Sequence, residues 1–130
     1  MMRIHTLFIF SITLIGVFVL SACSQQGDAA GSVLAYLEAL ASREADTMVS
    51  LSCADWEAQA RTDIEAFSAV TITLEDASCA ESGEEGGNTL ISCTGKIIAN
   101  YGNEILEIDL SERTYLTVFE AGEWRMCGYR

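Results

Sequence analysis

The side chains able to do chemistry in this 130-residue chain are five cysteines, one histidine, nineteen carboxylates and a scatter of aromatic rings. The cysteines are Cys23, Cys53, Cys79, Cys93 and Cys127. No two are spaced as a CxxC knuckle, so a four-cysteine zinc site fits poorly and no metal is expected. Disulfide pairing is the better use of them, and the odd count then requires a separate role for one. The lone histidine, His5, lies in a segment read below as removable. Without it the chain has no Ser-His or Cys-His nucleophile pair, no imidazole base and no imidazole metal ligand. No phosphate-binding loop or dinucleotide fingerprint occurs, and no cofactor is expected.

The carboxylates have simpler uses than catalysis. Asp46 and Asp55 stand where they would cap helices. Glu75, Asp76, Glu81, Glu84 and Glu85 fall near a hairpin end and read as solvated, and no spaced Asp-x-Asp series marks a calcium loop. Glu104, Glu107 and Asp109 alternate with apolar residues, as on the wet face of a strand. The aromatics Tyr36, Trp56, Phe67, Tyr101, Tyr115, Phe119 and Trp124 have two readings. They fill a small core, or they line an apolar pocket of the kind that takes small ligands.

Positioning begins with the N-terminal segment. Met1 to His5 carries one firm positive charge, and the apolar run from Thr6 to Leu20 is shorter than the roughly 20 residues of a membrane span. A charged start, a short apolar middle and a small-residue end make a secretory signal. The end, Leu20-Ser21-Ala22-Cys23, resembles the lipobox of bacterial lipoproteins. That resemblance implies cleavage of residues 1–22, lipid on Cys23 and anchoring of the domain to the cell membrane or outer membrane on the extracytoplasmic side. A plain secretory cut after Ala22 would put Leu20 at the position that prefers a small residue. Cleavage discards Arg3 and His5, leaving six basic residues against nineteen acidic ones. Nucleic acid and anionic lipid headgroups, both bound through basic patches, are poor partners for such a surface. With Cys23 lipidated, four cysteines are left to pair in an oxidising compartment.

Residues 23–31 are small and polar and read as the lipidated cysteine and its flexible tether. The domain then spans 32–130. Ser32 would cap a first helix over about 33–43, with Val33, Leu37 and Leu40 at helical spacing. Asp46 would start a second, reaching about Ser52, and Asp55 a third over about 56–68. In the third, Trp56, Ala60, Ile64 and Phe67 form one apolar stripe, while Glu57, Arg61 and Glu65 form a solvated face. After Ala69 the period changes to two. Val70 to Leu74 alternates as a strand, 81–88 reads as an acidic turn, and Thr89 to Tyr101 alternates with Ile91, Cys93, Ile97, Ala99 and Tyr101 on one face. Ile105 to Phe119 reads as a long strand bent near Ser111-Glu112, and Trp124 to Tyr129 closes the sheet. With no proline, turns fall to Gly, Asn, Asp and Ser. Helices first and hairpin-linked strands afterwards predict an α+β domain, its helices packed on one face of a curved, mainly antiparallel sheet.

The stretch Val33-Leu34-Ala35-Tyr36-Leu37-Glu38-Ala39-Leu40, followed by Arg43-Glu44-Ala45-Asp46 and Met48-Val49-Ser50-Leu51, is similar to the opening of nuclear transport factor 2-like domains. These are also called SnoaL-like and have a cystatin-like cone. Gly122-Glu123-Trp124-Arg125-Met126-Cys127-Gly128 resembles the strand that ends such domains. The resemblance covers residues 32–129. It places Tyr36 where the ketosteroid isomerases of that superfamily carry an oxyanion-donating tyrosine. Their general-base aspartate falls, without gaps, on Ala60, and the usual long hairpin before the main sheet is missing. No catalytic residue carries over, and the chain reads as a non-enzyme. The fold so implied sets Cys79 opposite Cys93 and brings Cys53 to Cys127. It also implies a cavity lined by the seven aromatics, with Tyr36 as its polar group. Three functions follow as expectations: a lipoprotein domain binding a small apolar ligand or an envelope protein; an isomerase- or dehydratase-like enzyme using Tyr36; or a structural module of the envelope, with a homodimer among its forms.

Overall fold

The computed structural model describes residues 28–130. The expected signal segment, Cys23 and the tether up to residue 27 lie outside the described residues. The fold is α+β, three helices followed by a curved antiparallel sheet of five strands.

Helix α1 (Ala29–Ser42) buries Val33, Tyr36, Leu37 and Leu40 along one stripe. It starts earlier than the sequence predicts. Asp28, and not Ser32, is the cap, and its carboxylate accepts from the Gly31 amide. Ser32 is buried one turn inside, its hydroxyl donating to the Ala29 carbonyl at 2.7 Å. The reason is burial: starting at Asp28 also packs Ala29, fully buried, into the core. Residues 29–31 therefore belong to the helix and not to a tether. Arg43 ends α1 in the left-handed conformation (φ 59°), its amide reaching the Ala39 and Leu40 carbonyls. Its guanidinium donates to the Val70 carbonyl and ties the helix end to the start of the sheet.

Helix α2 (Ala45–Ser50) buries Met48. Asp46 lies in its first turn and makes no capping bond, and Asp55 sits within a 3-10 turn (Ala54–Trp56) that leads into helix α3 (Glu57–Ala66). Both expected caps are thus displaced, because the chain between these helices is held by the sheet. The Met126 amide donates to the Leu51 carbonyl and the Cys53 amide to the Met126 carbonyl, each at 2.8 Å. These bonds cover the outer edge of the last strand, and the Cys53–Cys127 disulfide locks the contact with a Cα separation of 5.2 Å.

Strand β1 (Thr71–Glu85) pairs antiparallel with β2 (Asn88–Asn100), and β2 pairs on its other side with β3 (Ile105–Asp109) and β4 (Thr114–Glu120). β4 pairs in turn with β5 (Glu123–Tyr129). The expected bend between β3 and β4 is a 3-10 turn at Leu110–Glu112, anchored by the buried Leu110. The expected acidic turn over 81–88 is instead mostly strand. Only Gly86 and Gly87 turn the chain, with φ of 57° and 84°. Two successive positive φ values are what a two-residue hairpin loop needs, and glycine takes them without strain. The acidic residues then lie along an exposed outer strand, where charge opposes edge-to-edge pairing. Cys79 stands directly opposite Cys93, disulfide-bonded at a Cα separation of 4.1 Å.

On β2, Ile91, Cys93, Ile97 and Ala99 are buried as their alternation predicts, but Tyr101 has left the strand and is about half exposed. The core forms between this sheet face and the buried stripe of α1. On β3, Ile105 and Leu106 are exposed, and only Ile108 turns toward the core.

Candidate ligand-binding site

A cavity of about 230 Å³ opens between α1, α3 and the inner face of the sheet. Helix α1 contributes Tyr36, Leu37 and Leu40, one turn apart on its buried stripe. Helix α3 and its last turn contribute Asp63, Ala66 and Phe67. Ile97, Ile108, Arg113, Tyr115 and Tyr129 form the sheet side. The volume exceeds the roughly 150 Å³ of an engineered apolar cavity that takes benzene. It is smaller than the ~300–1,000 Å³ of drug-sized pockets, so a single ring or a short branched chain is the scale of occupant.

The structure divides the seven aromatics expected to line a pocket. Tyr36, Phe67 and Tyr115 do so. Trp56 stands behind the wall, its indole Nε1 donating to the Tyr36 hydroxyl at 3.2 Å and its ring edge-on to Tyr129 at 5.5 Å. Tyr101 and Phe119 are about half exposed, outside the cavity. Trp124 stacks edge-on with Phe119 at 5.4 Å, at the opposite end of β4 from Tyr115. Phe119 and Trp124 instead line a separate open groove beside the Gly86–Gly87 turn. Tyr101 follows Asn100, the last residue of β2, into the turn.

The polar groups sit at two places. At one, the Tyr36 hydroxyl accepts from Trp56 and donates to Asp63 Oδ2 over a long 3.5 Å. Asp63 Oδ1 accepts from Gln59 Nε2 at 2.8 Å. Burial, reinforced by the Asp63 charge, pushes the Tyr36 hydroxyl well above the usual tyrosine value, so it stays a protonated donor. At the other, the Arg113 guanidinium lies over the Tyr129 ring at 4.5 Å, a cation–π contact. The neighbouring Tyr115 hydroxyl is buried beside that guanidinium, and its proton has no acceptor within hydrogen-bond distance. An unmet buried donor costs about 1–3 kcal/mol, which makes it a group poised for a ligand. Burial raises Tyr115, while the Arg113 charge and the approach of its guanidinium N–H to the hydroxyl oxygen work against it. Tyr129 is raised by burial first, with Asp63 adding and Arg113 subtracting, which places it between the two charges.

Sequence reasoning missed Asp63, Arg113 and Tyr129. Asp63 lies three residues after Ala60 and four before Phe67, so it shares the apolar stripe of α3, and a carboxylate at that spacing was the available signal. Alternation along β5 sets Tyr129 on the face opposite Met126. A bulge changes this: Thr117 pairs with Met126 but Tyr115 with Tyr129, leaving one extra residue on β5. Met126 is buried and Tyr129 lines the cavity, so the register shift turns both inward. Ala60, the position aligned with the isomerase base, is fully buried and offers no acid. Among the described residues no three His, Cys, Asp or Glu side chains converge as metal ligands.

No protein-family model matches the chain, and no curated protein matches it. Similar solved structures include a SEC-C motif containing protein from Rhodopseudomonas palustris, at 12% identity over 78% of each chain with a TM-score of 0.49. Another is the helical cell shape determining protein Pgp2 from Campylobacter jejuni, at 8% identity with a TM-score of 0.50. The match covers 76% of this chain and 38% of Pgp2. At such identities the likeness concerns the fold alone. Among the described residues no helix is long and apolar enough to cross a membrane. The two disulfides are compatible with an extracytoplasmic location.

Proposed function

We propose that this chain is an exported lipoprotein, held to a membrane by lipid on Cys23, whose domain binds a small apolar ligand. The observation that carries the reading is the cavity of about 230 Å³ with an apolar wall of Leu37, Leu40, Phe67, Ile97 and Ile108 and a few polar groups. That combination is the usual composition of a small-molecule site. The succession of helices and curved antiparallel sheet agrees with what the nuclear transport factor 2-like resemblance implies. The lipobox, with two disulfides downstream of it, supports export.

The test is thermal unfolding of the whole chain with small cyclic and branched compounds bearing one polar group. A ligand at a hundred times its Kd adds about 2.7 kcal/mol of stability. A raised Tm that is lost in Ala66→Trp, which fills the cavity from its exposed rim, is the expected result. No compound raising Tm in the wild type above that variant would overturn the reading.

One observation favours a second reading, an isomerase- or dehydratase-like enzyme. Asp63 lies 3.5 Å from the Tyr36 hydroxyl inside the cavity, a carboxylate beside a protonated donor. In that case Asp63 accepts a proton from a ligand whose carbonyl oxygen Tyr36 polarises. Asp63→Asn would then leave a bound ligand chemically unchanged while the wild type converts it.

A further inference from the structure

We infer that the occupant of this cavity is a small apolar monocarboxylic acid, its carboxylate held by Arg113 and the Tyr115 hydroxyl. The inference rests on the reading of the cavity as a ligand site and specifies the ligand's class. Its basis is an imbalance of charge. Of the six described cations, Lys96, Arg125 and Arg130 are paired to Glu107, Glu123 and Glu85. Arg43 donates to a backbone carbonyl, and Arg61 is exposed on α3. Arg113 is half-buried at the cavity, where it meets the Tyr129 ring and faces the Tyr115 hydroxyl, and among the described residues it has no carboxylate partner.

A second, independent observation points to the same place. Tyr115 is 1% exposed, lines the cavity, and its hydroxyl is a buried donor without an acceptor. A guanidinium and a phenol hydroxyl side by side offer donors and no obligate acceptor, which suits an anion. A carboxylate supplies the acceptors both lack. The opposite polar place would reject it, because Asp63 carries its own negative charge and is already satisfied by Gln59 and Tyr36. The acid head therefore points to Arg113, and the hydrocarbon part lies against Leu37, Leu40 and Phe67. The size of the cavity limits that part to about one ring.

Isothermal titration calorimetry of the whole chain with cyclohexanecarboxylate and its neutral, equal-sized amide tests this. The acid is expected to bind at least about tenfold more tightly than the amide, as a charge-assisted contact requires. Arg113→Gln should bring the acid down to the affinity the amide has for the wild type. Tyr115→Phe, which keeps the ring packing, should weaken the acid more than the amide. Equal binding of acid and amide by the wild type would overturn the headgroup assignment and leave the apolar site standing. Binding of neither would overturn the ligand site itself.

Discussion

Tyr36 links an indole donor to a carboxylate acceptor through its hydroxyl. Tyr36→Phe should cost about 1–2 kcal/mol in urea denaturation, the worth of a partly buried hydrogen bond plus the orphaned indole N–H. Trp56→Phe should cost a similar amount, and the double variant less than the sum, because both remove one bond. The tyrosines also set an alkaline limit. Tyr36, Tyr115 and Tyr129 are all raised above the ordinary value of 10.0, burial being the first cause for each. Above pH 10 the unfolded chain releases these protons while the folded chain keeps them, so stability is whole below pH 10 and falls as pH rises through the folded values. Chemical denaturation across pH 8 to 12 should show that decline, and absorbance at 295 nm should show these groups ionising later than free tyrosine. At this scale the sequence revealed Tyr36, Phe67 and Tyr115 but not their companions. Asp63, Arg113 and Tyr129 come from α3, the turn before β4 and a bulged β5, and nothing local announces that they meet.

The elements were more legible, because burial imposes its period on the residues directly. The stripe of α1 and the alternation of Ile91, Cys93, Ile97 and Ala99 follow from one buried face each. Helix starts were not, since Asp28 competes with Ser32 and tertiary bonds to β5 displace the Asp55 cap. The disulfide partners followed from the fold that the family resemblance implied, and not from the cysteine spacing itself. Gly95 shows how the sheet depends on single positions. A Cβ there would meet the Glu75 and Asp76 carbonyl oxygens at 2.5 and 2.6 Å, at a φ of 98°. Gly95→Ala should therefore destabilise by more than about 2 kcal/mol through overpacking. Gly86→Ala, in open space at φ 57°, should cost only about 1–2 kcal/mol. The two bridges should differ as well. Cys53–Cys127 spans 74 residues and Cys79–Cys93 spans 14, and loop entropy assigns them roughly 4.5 and 3 kcal/mol. Replacing the first pair by alanine should lower the urea midpoint more than replacing the second, because the hairpin already holds Cys79 against Cys93.

The whole molecule combines an acidic composition with a small apolar interior, and its anchoring is the proposal of a lipid on Cys23. Cys23→Ala should move the protein from the membrane fraction to the soluble fraction and abolish metabolic lipid labelling; a wild type that takes up no label would contradict the anchoring. The α+β class was legible because helical and two-residue periods occupy separate halves of the chain. The cavity was not, because its walls come from α1, α3 and the sheet, segments far apart in the sequence. The central claim is that this interior admits a ligand. NMR titration of the whole chain, labelled at leucine and isoleucine methyls, with toluene tests it most directly. Saturable shifts are expected at Leu37, Leu40, Ile97 and Ile108, with the exposed Ile105 and Leu106 unmoved. Shifts that fail to saturate, or that appear equally at Ile105 and Leu106, would contradict it.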